Sequence, residues 1–352
     1  MDFTDVLSAY DYDLPAELIA NTPASPRDSA RLLVYDQKNN FSPDRSQKVC
    51  MDSVFRNIGD FLPEHALLVL NDTKVIPARL PVQRVTGGTV KLLMLEATGK
   101  QIRALSPKIL KEGERLTVDD QHALTVLRRE GDAWILEPQF TMNSWGALLE
   151  AKGETPLPPY IKHCPLTETE RRREYQTVFA HAPGSIAAPT ASLHFTEELL
   201  EQLRSKGIQT ATVTLHVHLG TFAPLTEEQW NTGTLHHETY AIADDQAAVI
   251  AKAISDERPI IAVGTTALRT LESAFDENKT LRKASGETDL FIREGYRFHV
   301  VDGLITNFHV PRSSLLMLVA AFAGREKILE LYEHAIDQKY RFYSFGDAML
   351  LL

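Results

Sequence analysis

From Leu67 to about Phe140 the chain gives short apolar runs separated by turn residues: Leu67 to Leu70, Ile76 to Val85, Thr89 to Leu95, Ile102 to Leu105, Leu116 to Val118, Ala123 to Leu127 and Trp134 to Leu136. Gly87-Gly88, Gly113 and Gly131 punctuate them. Short strands recurring about every ten residues predict a small antiparallel barrel or sandwich. After Pro156-Leu-Pro-Pro-Tyr160, which reads as a stiff linker, helical and strand patterns alternate, as in a layered α/β domain. The pattern therefore sets a strand-rich region apart from a layered α/β region.

Three elements of the second region can be placed closely. Thr196 ahead of Glu197-Glu198 is a helix start, and Gly207 suits the left-handed residue after the helix end, so a helix spans Glu197 to Lys206. Thr212, Thr214, His216 and His218 alternate with Val213, Leu215, Val217 and Leu219, which puts both histidines on the more polar face of one strand. Pro259 to Val263 reads as a buried strand that leads through Gly264-Thr265-Thr266 into a helix, Ala267 to Phe275. Free N–H groups at such a helix start favour anions. Asp276 to Glu287, charged and containing glycine, reads as a mobile loop.

Composition narrows the function classes. The chain has 352 residues, 43% of them hydrophobic, enough for two compact domains. Its formal net charge of −10 repels phosphate overall, so a nucleic acid would have to be met by a local basic patch, for which Arg171-Arg172-Arg173 is the candidate. Two cysteines, Cys50 and Cys164, are too few for a disulfide framework or a thiolate zinc site. Met1-Asp-Phe-Thr-Asp-Val has neither the basic start nor the apolar run of a signal peptide, and the longest apolar stretch, Leu315 to Ala323, is about half of a membrane span. A cytoplasmic protein without a membrane anchor is expected.

Several strings combine functional side chains with turn residues beyond what core packing requires. They are Asn71-Asp-Thr-Lys-Val-Ile-Pro-Ala-Arg79, Gly184-Ser-Ile-Ala-Ala-Pro-Thr-Ala-Ser-Leu-His-Phe-Thr196, Leu215-His-Val-His-Leu-Gly-Thr-Phe222 and Leu235-His-His-Glu238. Further on come Ala262-Val-Gly-Thr-Thr-Ala-Leu-Arg269, Thr306-Asn-Phe-His-Val-Pro-Arg312 and Tyr343-Ser-Phe-Gly-Asp-Ala-Met349.

Together with Asp11-Tyr-Asp-Leu-Pro15, Asp28, Arg31, Leu157-Pro-Pro-Tyr-Ile161 and Tyr175-Gln-Thr-Val178, these strings resemble the S-adenosylmethionine:tRNA ribosyltransferase-isomerase family of the queuosine pathway, in family order over nearly the whole chain. The resemblance implies a monomer in which a small antiparallel β-barrel domain, residues 67–150, is inserted in an α/β main domain formed by residues 1–66 and 151–352, with the active site between them. Its substrates would be S-adenosylmethionine and tRNA carrying an aminomethyl-deazaguanine, prequeuosine, at the wobble position. The products would be epoxyqueuosine-tRNA, adenine and methionine. The sulfonium acidifies the adjacent ribose 5′ carbon, and the nucleophile is the substrate's own aminomethyl nitrogen, so neither a protein nucleophile nor a bound cofactor or metal is demanded.

On this resemblance His194 and His216 are the candidates for proton transfer, with Glu238 or Asp347 orienting them. Thr265, Thr266 and Arg269 are expected to hold the methionine carboxylate at the helix start. Asn307 and His309 are expected to line the pocket, and Asp72, Lys74, Arg79, Thr190 and Arg312 to contact substrate; Asp72 and Arg79 would alternatively form an ion pair at the barrel entrance. Where the family has glycine this chain has Ser192 and His218, and Gly233 replaces a histidine. These departures keep open a divergent paralogue with an altered substrate.

Two other readings compete. His216 and His218 with His236, His237 and Glu238 resemble imidazole and carboxylate ligands of a metal-dependent enzyme, although Leu219-Gly-Thr-Phe222 lacks the glutamate that a cupin-like site places there. A non-catalytic tRNA-binding protein on the same scaffold would need fewer polar strings.

Overall fold

The computed structural model of the chain describes residues 2–37, 50–217 and 224–352. In chain order the strands begin with β1 (Arg31–Tyr35), β2 (Met51–Val54), β3 (Leu67–Asn71) and β4 (Thr73–Val75). There follow β5 (Arg79–Arg84), β6 (Thr89–Thr98), β7 (Gln101–Leu105), β8 (Arg115–Thr117), β9 (Ala123–Glu130) and β10 (Ala133–Pro138). The last group is β11 (Ala182–Ser185), β12 (Gln209–Leu215), β13 (Thr234–Ala241), β14 (Ile260–Val263), β15 (Ser285–Leu290), β16 (Gly303–Asn307) and β17 (Ala348–Leu351).

Strands β5 to β10 close into a six-stranded antiparallel barrel. Its inward positions alternate along each strand, and Leu80, Val82, Leu92, Met94, Ile102 and Ala104 fill the interior. The β5–β6 hairpin turns at Gly87 and Gly88, both with φ near +85°, a pair of left-handed residues that matches the twist of the flanking strands. The sequence expectation of a small barrel is met, with one correction. Leu67 to Leu70 was expected to open the barrel, but β3 lies in the middle of the main sheet, fully buried on both faces.

Among the described residues the main sheet has nine strands in the order β15-β13-β12-β3-β14-β16-β17-β1-β2. β12, β3, β14 and β16 run parallel, and antiparallel strands flank them on either side. After β3 the chain adds β12 on one side and later β14 on the other, so the C-terminal ends of these strands open onto a crevice, where α/β sheets hold ligands. Apolar clusters cover both faces of the sheet. The helix Ser314–Ala323 contributes the buried Leu316 to Ala320 to one of them, which accounts for the long apolar stretch. Among the described residues no helix is long and apolar enough to cross a membrane.

The predicted helix after Thr196 forms as Glu197–Ser205, with the Thr196 side chain accepting the N–H of Leu199. Two other expectations are corrected. β12 ends at Leu215, so His216 lies just past the strand, and His218 falls outside the described residues. The stretch from Asp276 is ordered: the Asp276 carboxylate accepts N–H groups of Asn278 and Thr280, and β15 joins the sheet as an exposed edge.

The end of β3 is fixed by one side chain. Asn71 is fully buried, and its amide donates to the Leu215 carbonyl at 3.0 Å and the Thr266 hydroxyl at 3.1 Å. Its carbonyl oxygen accepts N–H groups of Thr73 and Leu215, both at 3.1 Å. Replacing Asn71 by Leu leaves these partners without bonds in a dry interior, and each such orphan costs about 1–3 kcal/mol. We expect Asn71→Leu to lower unfolding free energy in urea by about 3 kcal/mol or more; a loss below about 1 kcal/mol would show that the network contributes little.

Candidate active site

The crevice at the strand ends is a cleft enclosing about 630 Å³, including solvent at its mouth. One wall is the start of the helix Thr265–Ala274, where Gly264 takes φ +89° and no side chain caps the first turn. Thr265 and Thr266 border the cleft there, so the first-turn N–H groups present positive potential to it. Thr306, Asn307, Phe308 and His309, at and beyond the end of β16, also line it, as do Tyr160, Tyr343 and Ser344.

A polar chain runs behind Asn307. The Thr190 hydroxyl donates to the Asn307 carbonyl oxygen at 2.8 Å, and the Asn307 amide faces His194 Nε2 at 3.4 Å. An amide NH₂ only donates, so Nε2 of His194 is the acceptor and the ring is neutral. Burial, reinforced by the Arg341 and Arg27 cations, lowers the His194 pKa to about 3. His309 is held by its Nε2, 2.8 Å from the Thr306 hydroxyl, and by its N–H, which donates to the Tyr332 oxygen. Burial lowers its pKa to about 3 as well.

Of the residues singled out in the sequence, Thr190, Thr265, Thr266, Asn307 and His309 border this cleft, and His194 packs behind it against Phe55. The others lie elsewhere. His216 bonds Thr73 Oγ1 through Nδ1 at 2.8 Å and its ring lies over Gly184, where an added Cβ would stand 3.0 Å from it; the next residue, Val217, reaches the cleft. Asp347 is buried and spends its carboxylate on the N–H groups of Arg31 and Arg341 and on the Arg341 guanidinium.

Arg269 and Glu238 form a buried ion pair in a neighbouring hollow, which shares Leu315 with the cleft. Thr265 and Thr266 thus face one cavity and Arg269, about one turn later, the other. One guanidinium nitrogen of Arg269, Nη2, is buried and makes no hydrogen bond.

Asp72 accepts the Thr214 hydroxyl at 2.6 Å, and Arg79 donates to the Leu157 carbonyl, so each has a partner other than the ion pair between them that was one alternative. Lys74 is exposed beside Arg172 and Gln176, and Arg312 is exposed and paired with Asp11. Arg171 and Arg172 are engaged by Glu168, Glu150 and the Leu166 and Gly153 carbonyls, which leaves Arg173 as the most exposed of the three, beside Glu174. Among the described residues no group of three or more His, Cys, Asp and Glu side chains gathers as metal ligands; His236 and His237 are exposed.

Residue-by-residue reading missed Asn71, Tyr160, Phe308, Tyr343 and Ser344, although all but Asn71 line the cleft and all five stand in strings that had been noticed. Tyr343 adopts φ +71°, a left-handed conformation that costs a non-glycine residue about 1 kcal/mol or more. No local sequence signal reports that.

The family model described as "Queuosine biosynthesis protein" matches residues 7–351. A protein of Caldanaerobacter subterraneus subsp. tengcongensis named S-adenosylmethionine:tRNA ribosyltransferase-isomerase is 43% identical over 350 residues, covering 98% of this chain and 99% of that protein. One of the same name from Gloeobacter violaceus is 44% identical over 360 residues, covering 100% and 97%. The crystal structure of S-adenosylmethionine tRNA ribosyltransferase from Thermotoga maritima superposes with a TM-score of 0.54 at 34% identity, covering 98% of this chain and 100% of that one.

The buried histidines set a pH dependence. Their folded pKa of about 3 lies below the ordinary value of 6.5, so the unfolded chain takes up protons first as pH falls. The stabilisation is complete above about pH 6.5 and is lost towards pH 3 at about 1.4 kcal/mol per histidine for each pH unit. Urea unfolding at pH 7, 6 and 5 should show this fall, with a shallower slope in His194→Gln. An unchanged slope in that variant would refute burial of a neutral His194 as a cause.

Proposed function

The chain belongs to the queuosine biosynthesis protein family, and from that premise we propose that it transfers and isomerises the ribosyl group of S-adenosylmethionine onto the aminomethyl-deazaguanine of prequeuosine-tRNA. The products are epoxyqueuosine-tRNA, adenine and methionine. The observation that carries this reading beyond family membership is the cleft itself, at the strand ends beside an uncapped helix start, with neutral histidines in and behind its wall. Both substrates belong to the cytoplasm, and every group assigned a part below comes from one chain.

The adenosyl group occupies the cleft, and the methionine tail passes Leu315 towards Arg269, whose unbonded nitrogen suits a carboxylate. One proton leaves the 5′ carbon next to the sulfonium and one is delivered to departing adenine. The aminomethyl nitrogen of the tRNA base loses a proton as it bonds the ribosyl carbon that the ring oxygen leaves, and the electron pair left on the 5′ carbon forms the carbon–carbon bond to the carbon that adenine leaves. Methionine departs with the electron pair of its sulfur–carbon bond as the former ring oxygen closes the epoxide. His309 borders the cleft as an unprotonated acceptor at neutral pH. The depressed pKa that makes it a weak base makes its protonated form a strong acid, suited to passing the proton on to adenine. His194 acts through Asn307 as a positioning residue, and His216 holds the loop that carries Val217. Arg173 is the residue of the basic run best exposed to meet tRNA phosphate.

The reading is tested by incubating purified protein with S-adenosylmethionine and prequeuosine-tRNA and analysing nucleosides by mass spectrometry. Epoxyqueuosine should appear in step with adenine. Methylated tRNA with S-adenosylhomocysteine would overturn it. For His309→Gln we expect turnover to fall on the order of a hundredfold or more, with S-adenosylmethionine affinity changed only a few-fold; full turnover would remove His309 from proton transfer.

A further inference from the structure

S-Adenosylmethionine brings a full positive charge on sulfur into the cleft, and the described lining meets it without an acidic side chain. Among the described residues that line it there is no Asp, Glu, Lys or Arg. The lining instead sets two phenol rings together: Tyr160 and Tyr343 have centroids 4.8 Å apart at 56°. Both residues are tethered. The Tyr160 hydroxyl shares a 2.6 Å hydrogen bond with Ser344 Oγ, and the backbone N–H of Tyr343 donates to the Phe308 carbonyl at 3.1 Å.

The backbone does not ask for a tyrosine at position 343. With φ +71° glycine would fit there more easily, so the ring is kept in spite of the local conformation. Burial pushes both phenols above their ordinary pKa, so at neutral pH they offer uncharged rings rather than phenolates.

We propose that the faces of Tyr160 and Tyr343 recognise the sulfonium of S-adenosylmethionine, in place of a carboxylate counter-ion. This deepens the reading given above and rests on it. A trialkylsulfonium is a soft, weakly hydrated cation with no N–H to donate, as is a quaternary ammonium, and aromatic faces bind such ions well in a desolvated pocket. Ring recognition also suits the reaction. A carboxylate against sulfur would offset the positive field that makes the 5′ proton removable, whereas neutral rings hold the cation and leave its field in place.

The test compares the dissociation constants of S-adenosylmethionine and the uncharged thioether S-adenosylhomocysteine by calorimetry, beside adenine release by the wild type. The wild type should favour the sulfonium by roughly tenfold to thirtyfold. Tyr343→Leu should bring that ratio close to one, and Tyr343→Phe, which keeps the ring face, should preserve most of it. Tyr160→Leu and Tyr160→Phe repeat the comparison at a half-buried position, should Tyr343→Leu fail to fold. A ratio left intact by both leucine variants overturns the proposal, as does a ratio lost equally with phenylalanine and leucine, which would assign recognition to the hydroxyls. If the wild type releases no adenine, the proposed reaction itself fails; release with an unaltered ratio in the variants removes only the sulfonium site.

Discussion

The hydrogen bonds of Asn71 hold together the place where the sheet stops being regular. Up to Val213 paired with Asn71, β12 follows β3 in parallel register. Beyond that point the backbone of Leu215 bonds the Asn71 side chain instead, through both its N–H and its carbonyl. The same amide reaches Thr266 in the first turn of the helix beside the cleft, and its oxygen takes the N–H of Thr73, from which the chain leaves the sheet for the barrel. One side chain with every bond satisfied therefore fixes the end of β12, the helix start and the exit towards the barrel relative to one another. A buried polar group is tolerated at such a junction because it is fully paired.

Charge is organised around this junction by exclusion. The ionic groups near the cleft are paired in its surroundings: Arg269 with Glu238, and Asp347 with Arg341 and two backbone N–H groups. The described residues that line the cleft are uncharged polar, aromatic or aliphatic, and the histidines are kept neutral by burial. In such surroundings a ligand's own charge is screened little, which suits a reaction whose driving charge arrives on the substrate.

Much of this was legible in the sequence, for physical reasons. The barrel's short alternating strands and glycine turns announce it, and the strand, glycine and helix start around Gly264 are readable because that geometry limits the residues it accepts. β3 was misplaced because a run of apolar residues buried on both faces carries no period; the lack of alternation in Leu67-Leu68-Val69-Leu70 is itself the mark of a central strand. The alternation through His216 and His218 overran the strand, because side-chain periodicity cannot show where the neighbouring strand ends. The polar composition of Ser285–Leu290 belongs to an exposed sheet edge and not to a mobile loop. The division of Thr265 and Thr266 from Arg269 between two cavities, and the pairing of Tyr160 with Tyr343 across 183 residues of sequence, depend on tertiary placement, on which local patterns are silent.

The central claim is that the strand-end cleft is the seat of S-adenosylmethionine, and amide hydrogen exchange with and without that ligand tests it most directly. Added S-adenosylmethionine should slow exchange at residues 264–266, 306–310 and 343–344, which line the cleft. Protection absent there and present at the opposite, N-terminal ends of the parallel strands, in the hollow lined by Phe61, Arg258 and Leu352, would contradict the account.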